Sequence, residues 1–218
     1  MHTVTQAFPV RAGSDGAAEA TRVPTASRPA LILASGSPRR RGLLEQIGLP
    51  FSVVVPEVDE EVLSRGATCP SEVVIARALG KGQAARDLAP DAVCLSADTV
   101  VISPDGQLLG KPGDADRNRE MLVGLSGNWH TVLTAVALCG CDRRQVVVEG
   151  CRVAFRTLLP AEVSSYARGG EGWDKAGGYA IQGAAAMFVR RVEGDYASVV
   201  GLPLCRLALL LRQWGLLD

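Results

Sequence analysis

Apolar positions along the chain form short runs that alternate with segments of helical periodicity. Short apolar runs predict buried strands at 30–34, 51–55, 93–97, 100–102, 131–138 and 145–155. Apolar residues at helical spacing, with capping residues and first-turn prolines, predict helices over 38–47, 71–87, 114–125, 160–168 and 203–214. We expect Ser71 to cap the second helix, and Gly80 and Gly82 to weaken it.

The order of these elements predicts the fold class. Strands alternate with helices, and the turn residues Pro104, Asp105 and Gly106 join two adjacent strands in a hairpin. This combination is typical of an α/β protein with a twisted mixed β-sheet flanked by helices. We predict one domain over 30–218, preceded by an extension over 1–29 that lacks either periodicity and that we interpret as flexible.

Charge and cysteine content limit the class of partner and the compartment. Lys+Arg and Asp+Glu balance at 23 each, so no overall field favours a nucleic-acid backbone or an acidic membrane. No apolar run reaches the ~18 residues of a membrane helix, and the N-terminus lacks the apolar core of a secretory signal. The six cysteines form no CxxC pair and suit a reducing compartment. We expect a cytoplasmic protein without a membrane or stable nucleic-acid partner.

The first candidate site is the turn between the first strand and the first helix. Ser35, Gly36 and Ser37 precede a first-turn proline, where free N–H groups and the helix dipole favour an anion. Arg39 and Arg40 lie in the first helical turn, which is unfavourable for two cations unless an anion is bound there. A phosphate site and an ordinary capped helix with solvated arginines are both compatible with this pattern.

Acidic residues follow two of the predicted strands. Glu57, Asp59, Glu60 and Glu61 lie beyond the second strand, and Asp98 follows the apolar run 93–97. Carboxylates grouped in this way suit Mg²⁺, although an acidic loop can also be merely solvated. We expect Asp98 at the end of a buried strand, where a partner or a metal must offset its desolvation.

The remaining candidates are three lysines and one histidine. Lys81, Lys111 and Lys175 are the only lysines in a chain that is rich in arginine, which indicates a use for a compact ammonium, although each alone could be a surface residue. A Ser-His-Asp triad would depend on His130, because His2 lies in the extension, and no Gly-x-Ser-x-Gly motif is present. We therefore interpret His130 as structural.

Taken together, several segments resemble the Maf family of nucleotide pyrophosphatases, which are also described as septum-formation-inhibitor-like proteins. The matching segments occur in family order at 33–40, 59–60, 81, 97–101, 110–112, 125–127, 130, 174–179, 181–183 and 200–204. The resemblance implies a Maf and ITPase-like fold with two lobes around a nucleotide cleft. It also implies hydrolysis of a nucleoside triphosphate to the monophosphate and pyrophosphate, and makes a homodimer plausible.

The resemblance also implies roles for individual residues. Asp98 would be the general base or a metal-bound carboxylate, with Glu60 and Asp174 helping to hold a divalent cation, Mg²⁺ or Mn²⁺. The triphosphate would contact the Ser35–Ser37 turn and four cationic side chains, Arg40, Lys81, Lys111 and Lys175.

Within the family, three positions resemble the branch that acts on dTTP and UTP. These are Arg39, Thr99 and Gln182, and the amide of Gln182 can both donate to and accept from a pyrimidine edge. Modified pyrimidine nucleotides could also fit. The alternatives are a pyrophosphatase for 7-methyl-GTP or another non-canonical nucleotide, and a non-enzymatic nucleotide-binding regulator of septum formation.

Overall fold

The structure, a computed structural model, describes residues 29–218, and its strands form one seven-stranded sheet. The strands are β1 (Leu31–Ala34), β2 (Ser52–Val54), β3 (Val93–Ile102), β4 (Leu108–Leu109), β5 (Trp129–Cys139), β6 (Arg144–Phe155) and β7 (Val189–Glu193). Their order is β2-β1-β3-β5-β6-β7, with β4 paired to β3. Strand β1 runs parallel to β2 and β3, and the other pairs are antiparallel. The predicted mixed sheet is confirmed.

The helices flank this sheet. They are α1 (Pro38–Gln46), α2 (Glu60–Leu63), α3 (Pro70–Leu88), α4 (Ala115–Leu125), α5 (Pro160–Gly169), α6 (Tyr196–Val200) and α7 (Leu204–Gln213). Two 3₁₀ turns, Ala176–Gly178 and Ala184–Phe188, lie between α5 and β7. Within residues 29–218, we find no helix with the length and apolar character needed to cross a membrane.

The two faces of the sheet are buried against different helices. On β1, Leu31 and Leu33 belong to the main apolar core, which also contains Leu44 of α1 and Leu211 of α7. The alternate residue Ile32 belongs to a second cluster, formed with α3. Because successive strand side chains point to opposite faces, the short apolar runs of the sequence supply both cores.

Helix α3 approaches the sheet closely because it carries glycine where it meets β3 and β5. A Cβ on Gly82 would lie 2.7 Å from both Cys139 Sγ and Ser96 Oγ. A Cβ on Gly80 would overlap the Leu63 side chain of α2. Gly82, which the sequence marks as a weak point of the helix, therefore allows close packing on the sheet that a larger residue would prevent, whereas Gly80 faces a side chain that is only partly buried.

The structure corrects several local expectations. Ser71 does not cap α3, because the helix begins at Pro70 and its cap residue Cys69 makes no side-chain capping bond. Asp98 is not at a strand end but inside the continuous strand β3. The short elements α2, β7 and α6 were not predicted, whereas the hairpin between β3 and β4 is confirmed. The predicted extension lies, apart from residue 29, outside the described residues.

Candidate active site

A cleft opens where β1 ends and its neighbour β3 continues. Strand β1 pairs with β3 only as far as Leu33 opposite Leu95, and β4 pairs with β3 from Val101 onward, so residues 96–100 of β3 have an open edge beside the turn that follows β1. The cleft has a volume of about 530 Å³. Its walls include most of the predicted site residues, namely Ser35, Ser37, Arg39, Arg40, Glu60, Lys81, Asp98, Thr99, Lys111, Asp174 and Lys175.

At one wall, a single ammonium group joins two carboxylates. Lys81 Nζ lies 2.6 Å from Glu60 Oε1 and 2.6 Å from Asp98 Oδ1. Asp98 is only 4% exposed, and its second oxygen, Oδ2, has no hydrogen-bond partner among the described residues. A buried carboxylate oxygen without a partner is costly, so this atom is the one that a ligand, water or cation would satisfy.

Glu60 is held as a carboxylate by the positive charges around it. Burial raises the pKa of Glu60, but the hydrogen bond from Lys81 and the charges of Lys81, Lys111 and Arg77 outweigh it and leave the pKa below its usual value. Arg77, which the sequence reasoning missed, also donates from Nε to the Glu60 carbonyl at 3.1 Å. The sequence contained a signal for Arg77, because it lies four residues before Lys81 and therefore on the same face of α3.

The turn after β1 presents hydrogen-bond donors to the cleft. Ser37 caps α1 by accepting from the Arg40 N–H at 3.4 Å. The Ser35 hydroxyl accepts from the Ser37 N–H at 3.2 Å and from Arg40 Nη1 at 3.4 Å. Since a hydroxyl has two lone pairs and one proton, Ser35 has only its proton left for a ligand. That arrangement suits an acceptor such as a phosphate oxygen.

Arg40 ties this turn to distant parts of the chain. Its Nε donates to the Gly201 carbonyl at 2.9 Å, and Nη2 donates to Thr99 Oγ1 at 3.3 Å. Burial lowers the pKa of Arg40, and the nearby charge of Asp98 partly opposes this effect. With three contacts formed to Ser35, Thr99 and Gly201, two of the five guanidinium N–H groups are left for an anion.

Lys111 and Lys175 line the cleft from two loops that are hydrogen-bonded to each other. The Gly177 N–H donates to the Gly110 carbonyl at 3.1 Å, which fixes the spacing between the two loops. Lys175 Nζ contacts the Glu171 carbonyl at 2.6 Å and Asp174 Oδ1 at 2.5 Å. Both lysines therefore line the same cleft as Glu60 and Asp98.

Among the residues to which the resemblance gives a role, Gln182 is the one that the structure does not bring to the cleft wall, and the acidic candidates Glu57, Asp59 and Glu61 do not line it either. Its side chain is exposed, although Tyr179, Ala180 and Ile181 just before it line the cleft. Behind the cleft, the Tyr179 hydroxyl and His130 Nε2 are 2.8 Å apart. Burial lowers the pKa of His130 to about 4, so the ring is neutral at physiological pH and supports Tyr179 from within the core.

The residues present fit a divalent cation that is bound through few protein ligands. The described chain contains no cluster of three or more His, Cys, Asp or Glu side chains arranged around a metal site. Glu60 and Asp98 are nevertheless paired, and Asp98 Oδ2 is free to coordinate. Mg²⁺ is commonly held by one or two carboxylates together with waters and substrate phosphates. Asp174 is 75% exposed and paired with Lys175, so its metal role stays a prediction.

The mixed sheet, together with two carboxylates on one ammonium group and further cationic side chains in the same cleft, defines an α/β protein with a candidate anion-binding site. The family model described as "Maf-like protein" matches residues 30–214. The chain therefore belongs to the Maf family, as the sequence segments predicted.

Curated relatives agree with this assignment. The chain is 48% identical over 185 residues to a "dTTP/UTP pyrophosphatase" of Symbiobacterium thermophilum, with 85% of this chain and 94% of the relative covered. A protein of the same name from Hahella chejuensis is 46% identical over 189 residues, covering 85% and 92%. Another from Bacillus cereus is 43% identical over 187 residues, covering 85% and 96%.

Proposed function

We propose that this protein is a nucleoside triphosphate pyrophosphatase that hydrolyses dTTP and UTP to the nucleoside monophosphate and pyrophosphate. The observation that carries the proposal is the open Oδ2 atom of buried Asp98, which lies at the wall of a cleft lined with phosphate-binding groups. Relatives that match almost the whole domain carry the name of this activity. A site that only bound the anionic triphosphate would gain little from two carboxylates.

The residues that line the cleft divide into two groups with different parts in the proposed reaction. The Ser35 hydroxyl, Arg40, Lys111 and Lys175 bind the triphosphate oxygens and stabilise the charge that develops on the leaving pyrophosphate. Asp98 Oδ2 accepts the proton of the water that attacks the α-phosphorus, and the bond to the bridging oxygen of the β-phosphate breaks.

Lys81 holds the two carboxylates in place for this step. Its ammonium donates to Glu60 Oε1 and to Asp98 Oδ1, which leaves Asp98 Oδ2 for the attacking water. Glu60 would hold Mg²⁺ or Mn²⁺, with Asp174 as a further candidate, and Asp98 would be a third ligand only if its Oδ2 bound the ion instead of acting as the base. Such an ion supplies positive charge to the phosphates and lowers the pKa of a bound water.

The pyrimidine preference is proposed for Arg39, Thr99 and Gln182. Arg39 and Thr99 lie in the cleft wall, whereas Gln182 would need to turn inward when a nucleotide binds. The same site could accept modified pyrimidine nucleotides.

The cellular location, the partners and the oligomeric state are each proposed from a single feature of the chain. All six cysteines are free thiols, which supports a reducing, cytoplasmic location. The balanced charge of the chain, 23 basic against 23 acidic residues, supports a partner set without nucleic acid. A homodimer rests on the family resemblance, and sedimentation equilibrium of the full chain tests it.

The test is pyrophosphate release from dTTP, UTP, CTP, 7-methyl-GTP and ITP with Mg²⁺ or Mn²⁺. We expect cleavage of dTTP and UTP, and a fall in kcat of about 10²–10⁴-fold in Asp98→Asn, which keeps the shape but loses the base. Asp91→Asn, at an exposed position, is the matched control and should retain full activity. Equal rates in Asp98→Asn and the wild type would remove Asp98 from this role, and no cleavage of any nucleotide would favour a binding protein.

A further inference from the structure

A chain of hydroxyl groups runs from the cleft into the core through two paired strands. Thr99 of β3 lies directly opposite Thr134 of β5, and their Oγ1 atoms are 2.9 Å apart. Thr134 Oγ1 is 2.7 Å from the Ser198 carbonyl oxygen of α6. At the cleft end, Arg40 Nη2 is 3.3 Å from Thr99 Oγ1. Thr134 is fully buried, whereas Thr99 lines the cleft.

The groups at the two ends determine which way each of the two threonine hydroxyls donates its hydrogen bond. The Ser198 carbonyl can only accept, so Thr134 donates its single proton to it. Thr134 must then accept from Thr99, which therefore donates its own proton into the core. Arg40 can only donate, so Thr99 accepts from it with one lone pair. Thr99 has one lone pair and no proton left for a ligand.

Thr99 and Ser35 therefore offer opposite hydrogen-bonding groups to a ligand, although Arg40 donates to both. Ser35 has both lone pairs occupied and offers a proton, whereas Thr99 has its proton occupied and offers a lone pair. A phosphate oxygen would meet a donor at Ser35 and would be repelled by the lone pair at Thr99. The two hydroxyls thus distinguish the phosphate end of a ligand from an end that carries N–H groups.

We propose that Thr134 is a specificity-determining positioning residue, which orients the Thr99 hydroxyl so that it accepts a hydrogen bond from the ring N3–H of a uracil or thymine base. Cytosine has no proton at N3 and would place a lone pair against that of Thr99. A site built around one such polar contact rejects the analogue that leaves it unpaired. The inference rests on the proposed function, because it concerns how the same cleft selects its nucleotide.

The test uses Thr134→Val, which keeps the shape of the side chain but removes the hydroxyl. Thr99 then loses its acceptor in the core and can turn its proton toward the ligand. We expect the preference for the uracil over the cytosine nucleotide to fall by about tenfold, the scale of one hydrogen bond. Thr134→Ser should restore it, and Thr131→Val, the same change on the same strand, should leave it unchanged.

Two readouts separate this inference from the proposed function. One is the ratio of kcat/KM for UTP and CTP, and the other is the ratio of Kd for their α,β-methylene analogues, measured by calorimetry with Mg²⁺. Turnover of UTP with equal ratios in wild type and Thr134→Val would overturn the inference and leave the function standing. A shifted Kd ratio without any turnover would support the inference and overturn the proposed function. No binding of either analogue would overturn both the inference and the function.

Further variants protect the test against a folding defect and identify the donor on the ligand. Thermal unfolding monitors Thr134→Val, and Thr99→Val reads the same contact from the cleft side. If Thr134 acts through Thr99, Thr134→Val should cause no further shift in the ratio on a Thr99→Val background, whereas additive shifts would contradict the proposal. The preference for dUTP over dCTP should change in Thr134→Val as much as the preference for UTP over CTP. A change that occurs only with the ribonucleotides would assign the donor to the sugar hydroxyl and overturn the N3–H assignment.

Discussion

At the scale of single residues, the cleft is defined by the atoms that internal hydrogen bonds leave available. Asp98 has one oxygen on Lys81 and one that no group in residues 29–218 contacts by a hydrogen bond, and Ser35 has only its proton to give. The sequence identified Asp98, Lys81 and Ser35 as candidates. It could not say which atom of each would face a ligand, because that depends on partners far away in the chain.

Tyr179 gives a test of the contacts behind the cleft. Tyr179→Phe removes the 2.8 Å contact with His130 and leaves a buried ring nitrogen without its partner. We expect a loss of about 1–3 kcal/mol in the free energy of unfolding, measured by urea denaturation. Tyr196→Phe, at a residue that is 48% exposed, is the control and should stay within about 0.5 kcal/mol of the wild type. Equal effects of the two variants would contradict this role.

At the scale of elements, α3 shows how packing overrides propensity. Two glycines in a helix lower its intrinsic stability, so the sequence predicted that Gly80 and Gly82 would weaken this helix. In the fold, the same glycines let α3 lie against β3 and α2, and Lys81 between them reaches Asp98 and Glu60. The local cost to the helix is thus tied to the geometry of the site.

The two glycines are expected to respond differently to alanine. Gly82→Ala places a methyl group against two buried side chains of the sheet and should lower the free energy of unfolding by about 1–3 kcal/mol. Gly80→Ala meets only the Leu63 side chain, which is partly exposed and can move, so the gain in helix propensity of up to about 1 kcal/mol should offset the contact. Chemical denaturation measures both. A larger loss at Gly80 than at Gly82 would refute this account of the packing.

In helix α5, the Glu162 carboxylate stabilises the fold to an extent that depends on pH. Hydrogen bonds from Arg156 at 2.9 and 2.7 Å, and from the Leu159 N–H at 2.9 Å, lower the pKa of Glu162 to about 2. Since this pKa lies below the ordinary value of 4.5, the carboxylate stabilises the fold fully above pH 4.5 and progressively less as the pH falls toward 2.

Glu162→Gln tests this dependence directly. The difference in unfolding free energy between wild type and variant should be constant above about pH 5 and should shrink as the pH approaches the folded-state pKa. Thermal and urea unfolding from pH 2 to 7 measure it. A difference that stays constant across this range would show that the charge of Glu162 is not responsible.

At the scale of the whole molecule, one guanidinium joins parts of the chain that are 161 residues apart. Arg40 in α1 donates to the Gly201 carbonyl between α6 and α7, and also to Thr99 in the middle of the sheet. The cleft is therefore assembled from the first and last segments of the domain. Loss of this link should affect the whole fold as well as the site.

Arg40→Lys tests the link while keeping the charge. A lysine cannot reproduce the three directions of the fork, so part-buried acceptors lose their donor. We expect a loss of about 1–3 kcal/mol in the free energy of unfolding. Arg41→Lys, next in the chain but exposed, should remain within about 0.5 kcal/mol of the wild type. Differential scanning calorimetry compares them, and equal melting temperatures for the two variants would contradict the structural role of Arg40.

The sequence by itself determined the class of fold, most element positions and most of the named residues that line the cleft. Apolar runs and helical spacing are local signals, and they predicted the mixed sheet and five helices with small errors at the ends. The matched segments predicted the family, which the comparisons confirm. Asp98, Lys81 and the Ser35–Ser37 turn were identified because each is chemically unusual in its local setting.

Only the tertiary structure decided how these residues meet. The short elements α2, α6 and β7 have too few residues to carry a periodic signal, and Asp98 interrupts an apolar strand that the sheet nevertheless continues through. The contacts of Arg77, Thr134 and Gly201 depend on strand register and on the close approach of α3. These follow from packing between distant segments, which no local pattern in the sequence encodes.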